Sequence, residues 1–265
     1  MTWWALCKVL PWVRLIGAIE IGVVLVAATI SDPRERLALA LDVDDLVAAL
    51  RLARRMRPWF GVAKVGLELF SAAGPETVYA LVVEGYRVFV DLKLHDIPTT
   101  VGRAARVLGG LGAAYVTVHS SGGEAMMRAA VEGMEQGASG AGAPAPCVLG
   151  VTLLTSEAER PAELLAARAT STLASGCGGI VCAAGDLALL GALPEQARAR
   201  LAGLVKVVPG IRLDGDHRHD QAAAATPREA LAAGADLLVV GRSVTAAADP
   251  EPVAAKLLAA VRDPG

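Results

Sequence analysis

The sequence predicts an α/β fold made of a single (β/α)8 TIM barrel, and three observations carry that expectation. From Leu37 onward, short apolar runs alternate with longer Ala-rich, charge-flecked segments, the pattern of repeated βα units. The strand-like runs number eight, which is the count that closes a barrel. The 265 residues are 54% hydrophobic but only 4% aromatic, which suits one large core of small aliphatic side chains packed between parallel strands and helices.

In chain order, strands are expected at 37–42, 61–66, 87–93, 115–119, 147–153, 179–183, 205–209 and 236–240. Helical stretches fall between them at 45–57, 75–84, 101–108, 124–136, 161–175, 187–190, 227–233 and 250–261, the sixth being short. An open doubly wound sheet is the competing architecture, but no glycine-rich dinucleotide fingerprint follows the first strand, which favours closure. The Gly- and Ala-rich stretch 137–146 reads as a flexible connector.

Residues 1–34 read as an apolar N-terminal extension, as from an upstream start codon, and residues 35–265 as the barrel domain. Pro11, Arg14 and Glu20 interrupt the apolar stretch, and the unbroken run 21–30 is too short to cross a bilayer. No membrane association is therefore expected. A formal net charge of −2 without a basic stripe argues against a nucleic-acid partner. Cys7, Cys147, Cys177 and Cys182 form no CxxC pair and read as buried small hydrophobes, as suits a reducing cytoplasm.

In such a barrel, polar residues at the carboxyl ends of strands point into the site. Asp42 closes the first expected strand, Lys64 lies in the second, Asp91 and Lys93 end the third, and His119 ends the fourth. Thr155, Arg212 and Arg242 follow the fifth, seventh and eighth. The segment VDLKLHDIPTT places Asp91 and Lys93 two apart, so both face the barrel mouth. Buried charges need partners, and Lys64 on the neighbouring strand with Asp96 just beyond would complete an alternating network of zero net charge. From these residues alone, a structural salt-bridge cluster and a catalytic centre both remain open.

The motif DLKLHDIPTT resembles the DxKxxD signature of the orotidine 5'-phosphate decarboxylase family. LALDVDD, AKVGLELF, VTLLTS, VVPGIR, DQAAAATP and VVGRSVT follow in the family's order, so the resemblance extends from about residue 36 to the end. It implies conversion of orotidine 5'-phosphate to UMP and CO2 in de novo pyrimidine synthesis, in the cytoplasm, with neither metal nor organic cofactor. Lys64, Asp91, Lys93 and Asp96 match the catalytic set, with Lys93 as proton donor and Asp91 beside the substrate carboxylate. Asp42 and Lys64 resemble the ribose-contacting pair, and Thr155 the residue on the pyrimidine ring. Gln221, Gly241 and Arg242 match phosphate contacts, with Arg212 beside them. Asp96 and Thr100 match positions that reach the partner's site, which implies a homodimer with composite active sites.

A carbanion left at pyrimidine C6 has little resonance help, so a fixed ammonium that stabilises and then protonates it is the chemistry required. The polar stretch 213–226 reads as a lid over the phosphate. The metal-dependent sugar-phosphate decarboxylases and synthases of the same suprafamily share DxKxxD, whereas Ile97, Pro98 and Thr100 with LLTS match the nucleotide branch. A phosphoribosyl-binding barrel without turnover is the non-enzymatic alternative. His217 and His219 read as solvated lid residues, His95 as a supporting residue, and His119 as a side chain satisfying hydrogen bonds at a strand end.

Overall fold

The structure is a computed structural model that describes residues 32–157, 159–213 and 225–262. Eight parallel strands close on themselves in sequence order. They are β1 (Leu37–Ala40), β2 (Val62–Val65), β3 (Arg87–Leu94), β4 (Ala113–His119), β5 (Cys147–Val151), β6 (Gly179–Val181), β7 (Val205–Val208) and β8 (Leu237–Val240). The helices outside them are α1 (Leu46–Met56), α2 (Leu67–Ala73), α3 (Glu76–Val83), α4 (Pro98–Gly110), α5 (Glu124–Ala141) and α6 (Ala162–Ala174). The ring continues with α7 (Ala184–Gly191), α8 (Glu195–Leu201), α9 (Pro227–Ala232), α10 (Arg242–Thr245) and α11 (Pro250–Arg262).

Strand alternation builds two cores from one sheet. In β1, Leu37 and Leu39 pack outward against the helices, while the smaller Ala38 and Ala40 face the barrel axis. The axis is filled by Val62, Phe89, Tyr115, Leu149 and their neighbours, so the barrel is solid. Phe89 and Tyr115 meet edge to face with ring centroids 6.0 Å apart. Below them Arg87 lies 4.8 Å from the Tyr115 ring centroid and pairs with Glu35 at 3.0 Å. The turn Pro33–Arg36 closes this end, where Gly61 N donates to Arg34 O at 2.7 Å. With the amino-terminal end sealed, the carboxyl ends of the strands are left to form a cavity.

All eight expected strands and eight expected helices are present, with shifted ends. Three further helices, α2, α8 and α10, are not expected from the sequence; at 7, 7 and 4 residues they are too short to show a helical period in it. The stretch 137–146 needs correction, since 137–141 is the last part of α5. Glycine lowers helix propensity, but here packing overrides it. A Cβ on Gly133 would lie 2.2 Å from Gly102 O, one on Gly137 2.0 Å from Arg106 O, and one on Gly109 2.3 Å from Met134 O. The backbones of α4 and α5 therefore touch directly.

Gly133→Ala should lower stability by about 1–3 kcal/mol, because the backbone clash outweighs the propensity gain. Gly140→Ala, whose Cβ would meet nothing within 4 Å, is the control. Thermal unfolding midpoints of the two variants check this, the first falling by several degrees and the second holding.

Candidate active site

The carboxyl ends of the strands enclose a cavity of about 250 Å3. Asp42, Lys64, Asp91 and Lys93 form one wall, and Val151, Val181 and Pro209 belong to the apolar wall. Thr155, Arg212, Gly241 and Arg242 also line it.

The charged wall is a continuous line of alternating sign. Lys64 Nζ lies 3.3 Å from Asp42 Oδ1 and 3.6 Å from Asp91 Oδ2. Lys93 Nζ donates to both oxygens of Asp91, at 2.9 and 3.0 Å. The Asp91 side chain is 15% exposed, so its charge is held by neighbours rather than by water. Burial pushes its carboxyl pKa upward most strongly of any single influence, but Lys64, Lys93 and the hydroxyl of Thr117 together leave it below the usual value of 3.8. Gly66 sits against this line, since a Cβ there would lie 3.1 Å from Asp42 Oδ1 and 3.2 Å from Lys64 Nζ.

Backbone geometry sets the aim of Lys93. Between the pairs Val90–Val116 and Leu94–Val118, β3 advances four residues while β4 advances two, and the ladder breaks. Within this bulge Lys93 takes φ 50°, the left-handed region, and among the described residues it is the one non-glycine to do so. Its N–H leaves the ladder and donates to Thr117 Oγ1 at 2.9 Å, while that hydroxyl donates to Asp91 Oδ1 at 3.0 Å. Thr117 is fully buried and was not singled out from the sequence. The signal was available, because a threonine on the axis-facing side of an apolar strand needs a polar partner.

Asp96 requires a correction. It does not join the line within this chain; Asp42 occupies the fourth place. Past the bulge the chain leaves the cavity, and Asp96 lies exposed with Oδ1 accepting from Ile97 N at 2.6 Å. Thr100 is likewise exposed, in the first turn of α4, and Ile97 is 66% exposed between them. Gln221 lies outside the described residues, as do His217, His219, Cys7 and the lid interior 214–224.

Around the cavity, Arg212 is buried and donates from Nη1 to Ile211 O at 3.0 Å. Arg242 is exposed at the first position of α10, directly after Gly241. His95 and His119 place their ring centroids 5.4 Å apart beside Lys93. Burial first, then the cations around it, lowers the pKa of His119. Cys177 and Cys182 are buried as expected and Cys147 nearly so, and burial pushes the thiols of Cys147 and Cys177 up to about 12.

Residues 35–257 match the family model described as "Orotidine 5'-phosphate decarboxylase / HUMPS family". An orotidine 5'-phosphate decarboxylase of Moorella thermoacetica is 43% identical over 237 residues, covering 84% of this chain and 89% of the relative. One from an Anaeromyxobacter species is 43% identical over 238 residues, covering 86% and 98%. The crystal structure of orotidine 5'-phosphate decarboxylase from Lactobacillus acidophilus superposes with a TM-score of 0.68 at 31% identity, covering 87% of this chain and 98% of that one.

A depressed carboxyl pKa contributes stability above its unfolded value and loses it as the pH falls through the folded one. Asp91→Asn should therefore be less stable by about 1–3 kcal/mol near neutral pH, where it takes the carboxylate away from Lys93 and leaves Lys64 with Asp42 alone. The gap should narrow below about pH 4. Urea unfolding midpoints of both proteins across that range test it, and a constant gap would contradict the assignment.

Proposed function

The chain belongs to the orotidine 5'-phosphate decarboxylase / HUMPS family and is a carboxy-lyase converting orotidine 5'-phosphate to UMP and CO2 in pyrimidine biosynthesis, and we propose how its cavity does so. The observation that carries the proposal is the Lys64–Asp91–Lys93 line, with one carboxylate held between two ammonium groups at the mouth of a closed barrel.

Asp91 stands beside the place of the substrate carboxylate. Two negative groups there repel each other in the bound substrate, and the repulsion vanishes as neutral CO2 departs. The charge left at C6 then faces the Lys93 ammonium, which stabilises it during bond breaking and protonates it afterwards. The fixed backbone of the bulge supports this role, since an electrostatic catalyst works best when it need not reorient. Lys64 keeps Asp91 balanced while the Lys93 ammonium serves the developing charge, and Asp42 with Lys64 holds the ribose. Each oxygen of Asp91 already has an ammonium beside it, and the proposed step uses only these side chains.

Thr155 contacts the pyrimidine ring, while Arg212, Gln221, Gly241 and Arg242 hold the phosphate. Binding energy gained at this remote group can be used to exclude water from the reacting centre. Asp96 and Thr100, outward at the start of α4 with the apolar Ile97 between them, extend into the cavity of a second copy. The active unit is thus a homodimer with composite sites, working in the cytoplasm. No helix among the described residues is long and apolar enough to cross a membrane.

The first test follows the loss of orotate-ring absorbance in excess chelator. The unmodified protein should be fully active, and Lys93→Ala should lose at least about a thousand-fold in kcat while still binding UMP. Retained turnover in that variant overturns the mechanism. Separately, Arg242→Ala should raise KM by roughly ten- to a hundred-fold with a smaller change in kcat, and an unaltered KM removes Arg242 from the phosphate site.

A further inference from the structure

Behind the cavity wall formed by the loop after β5 and the end of β6 lies a second ion pair that the mechanism does not use. Arg160 Nε donates to Asp186 Oδ1 at 2.7 Å, and Nη2 donates to Oδ2. The Asp186 side chain is 1% exposed and that of Arg160 18%. The remaining nitrogen, Nη1, donates to Leu154 O at 2.7 Å and reaches Glu157 O at 3.4 Å. Leu154 N in turn donates to Glu157 Oε1 at 2.8 Å, so both backbone polar groups of Leu154 are fixed. On the other side, Asp186 Oδ2 accepts from Ala183 N at 3.0 Å in the first turn of α7.

The pair thereby links two successive loops of the barrel mouth. Leu154 and Thr155 line the cavity from one, and Cys182, next to Ala183, lines it from the other. Taking two charges out of water is costly, and an apolar pair of similar volume would pack the two loops together equally well. A guanidinium fork differs from such a pair in giving direction: three nitrogens engage a carboxylate and a backbone carbonyl at fixed angles.

Resting on the decarboxylase reading above, we propose that Arg160 and Asp186 are positioning residues that hold Leu154 and Thr155 at the height where they meet the pyrimidine ring. The clamp acts on the base end of the substrate. The phosphate end, served by the loops after β7 and β8, is independent of it.

The experiment uses the full chain in three forms: unmodified, Arg160→Lys, and the double variant Arg160→Met with Asp186→Leu, which removes both charges together. Arg160→Lys keeps Asp186 compensated but lacks the fork, so it provides the test even where the double variant does not fold. Calorimetry measures the affinity of UMP, which carries a base, and of ribose 5-phosphate, which does not. The variants should bind UMP about tenfold more weakly, with KM for orotidine 5'-phosphate raised alike and kcat changed less. Ribose 5-phosphate affinity should stay within about twofold. Equal weakening of both ligands, or of neither, overturns the clamp. If the unmodified protein neither decarboxylates orotidine 5'-phosphate nor binds UMP, the decarboxylase reading itself falls and takes the clamp with it.

Discussion

The structure depends on one carboxylate held between two ammonium groups where water is scarce. Asp91 is compensated by Lys64 on one side and Lys93 on the other, with Asp42 beyond Lys64. A buried charge of either sign alone would be strongly unfavourable, so the two inner members, Lys64 and Asp91, are tolerable because each has opposite charges beside it. Three neighbouring strands must stay in register to keep the line intact: the β2–β3 pairing sets Lys64 opposite Phe89, and the bulge against β4 sets Lys93 over Thr117. The rest of the barrel holds that register rigid.

Rigidity comes from the small side chains that dominate the sequence. Inward alanines on β1 leave room for Phe89 and Tyr115 to fill the axis, and Arg87 with Glu35 closes the lower end. The interior is thus packed up to the level of the charges, and the cavity begins where packing stops. Left-handed backbone at Lys93 is a strained conformation, tolerated because Thr117 captures the N–H that the bulge releases.

Much of this was legible in the sequence because it is local. Strand periodicity gave the barrel, and two-residue spacing put Asp91 and Lys93 on one face. What was missed depends on distance or on departures from ideal geometry. Strand alternation puts Asp96, five residues past Asp91, on the opposite face, and the bulge turns the chain outward before it, so Asp42 takes the fourth place. Arg160 and Asp186 stand 26 residues apart, and no periodicity pairs residues across two loops. Gly137 and Gly140 of α5 read as part of a flexible connector, because the close packing of Gly137 lies in a neighbouring helix that a single segment does not display.

That glycine contact has a consequence for how the chain can vary. Carbonyl oxygens of Gly102 and Arg106 rest where Cβ atoms of residues 133 and 137 would stand, so neither helix can slide along the other by even one position without collision. Because α4 begins at Pro98, a few residues past Lys93, its axial register also fixes the turn that carries Asp96 and Thr100. Drift toward larger residues at these glycines would therefore be felt first at the turn that carries Asp96 and Thr100, far from the substituted atoms, while the eight strands stayed in place.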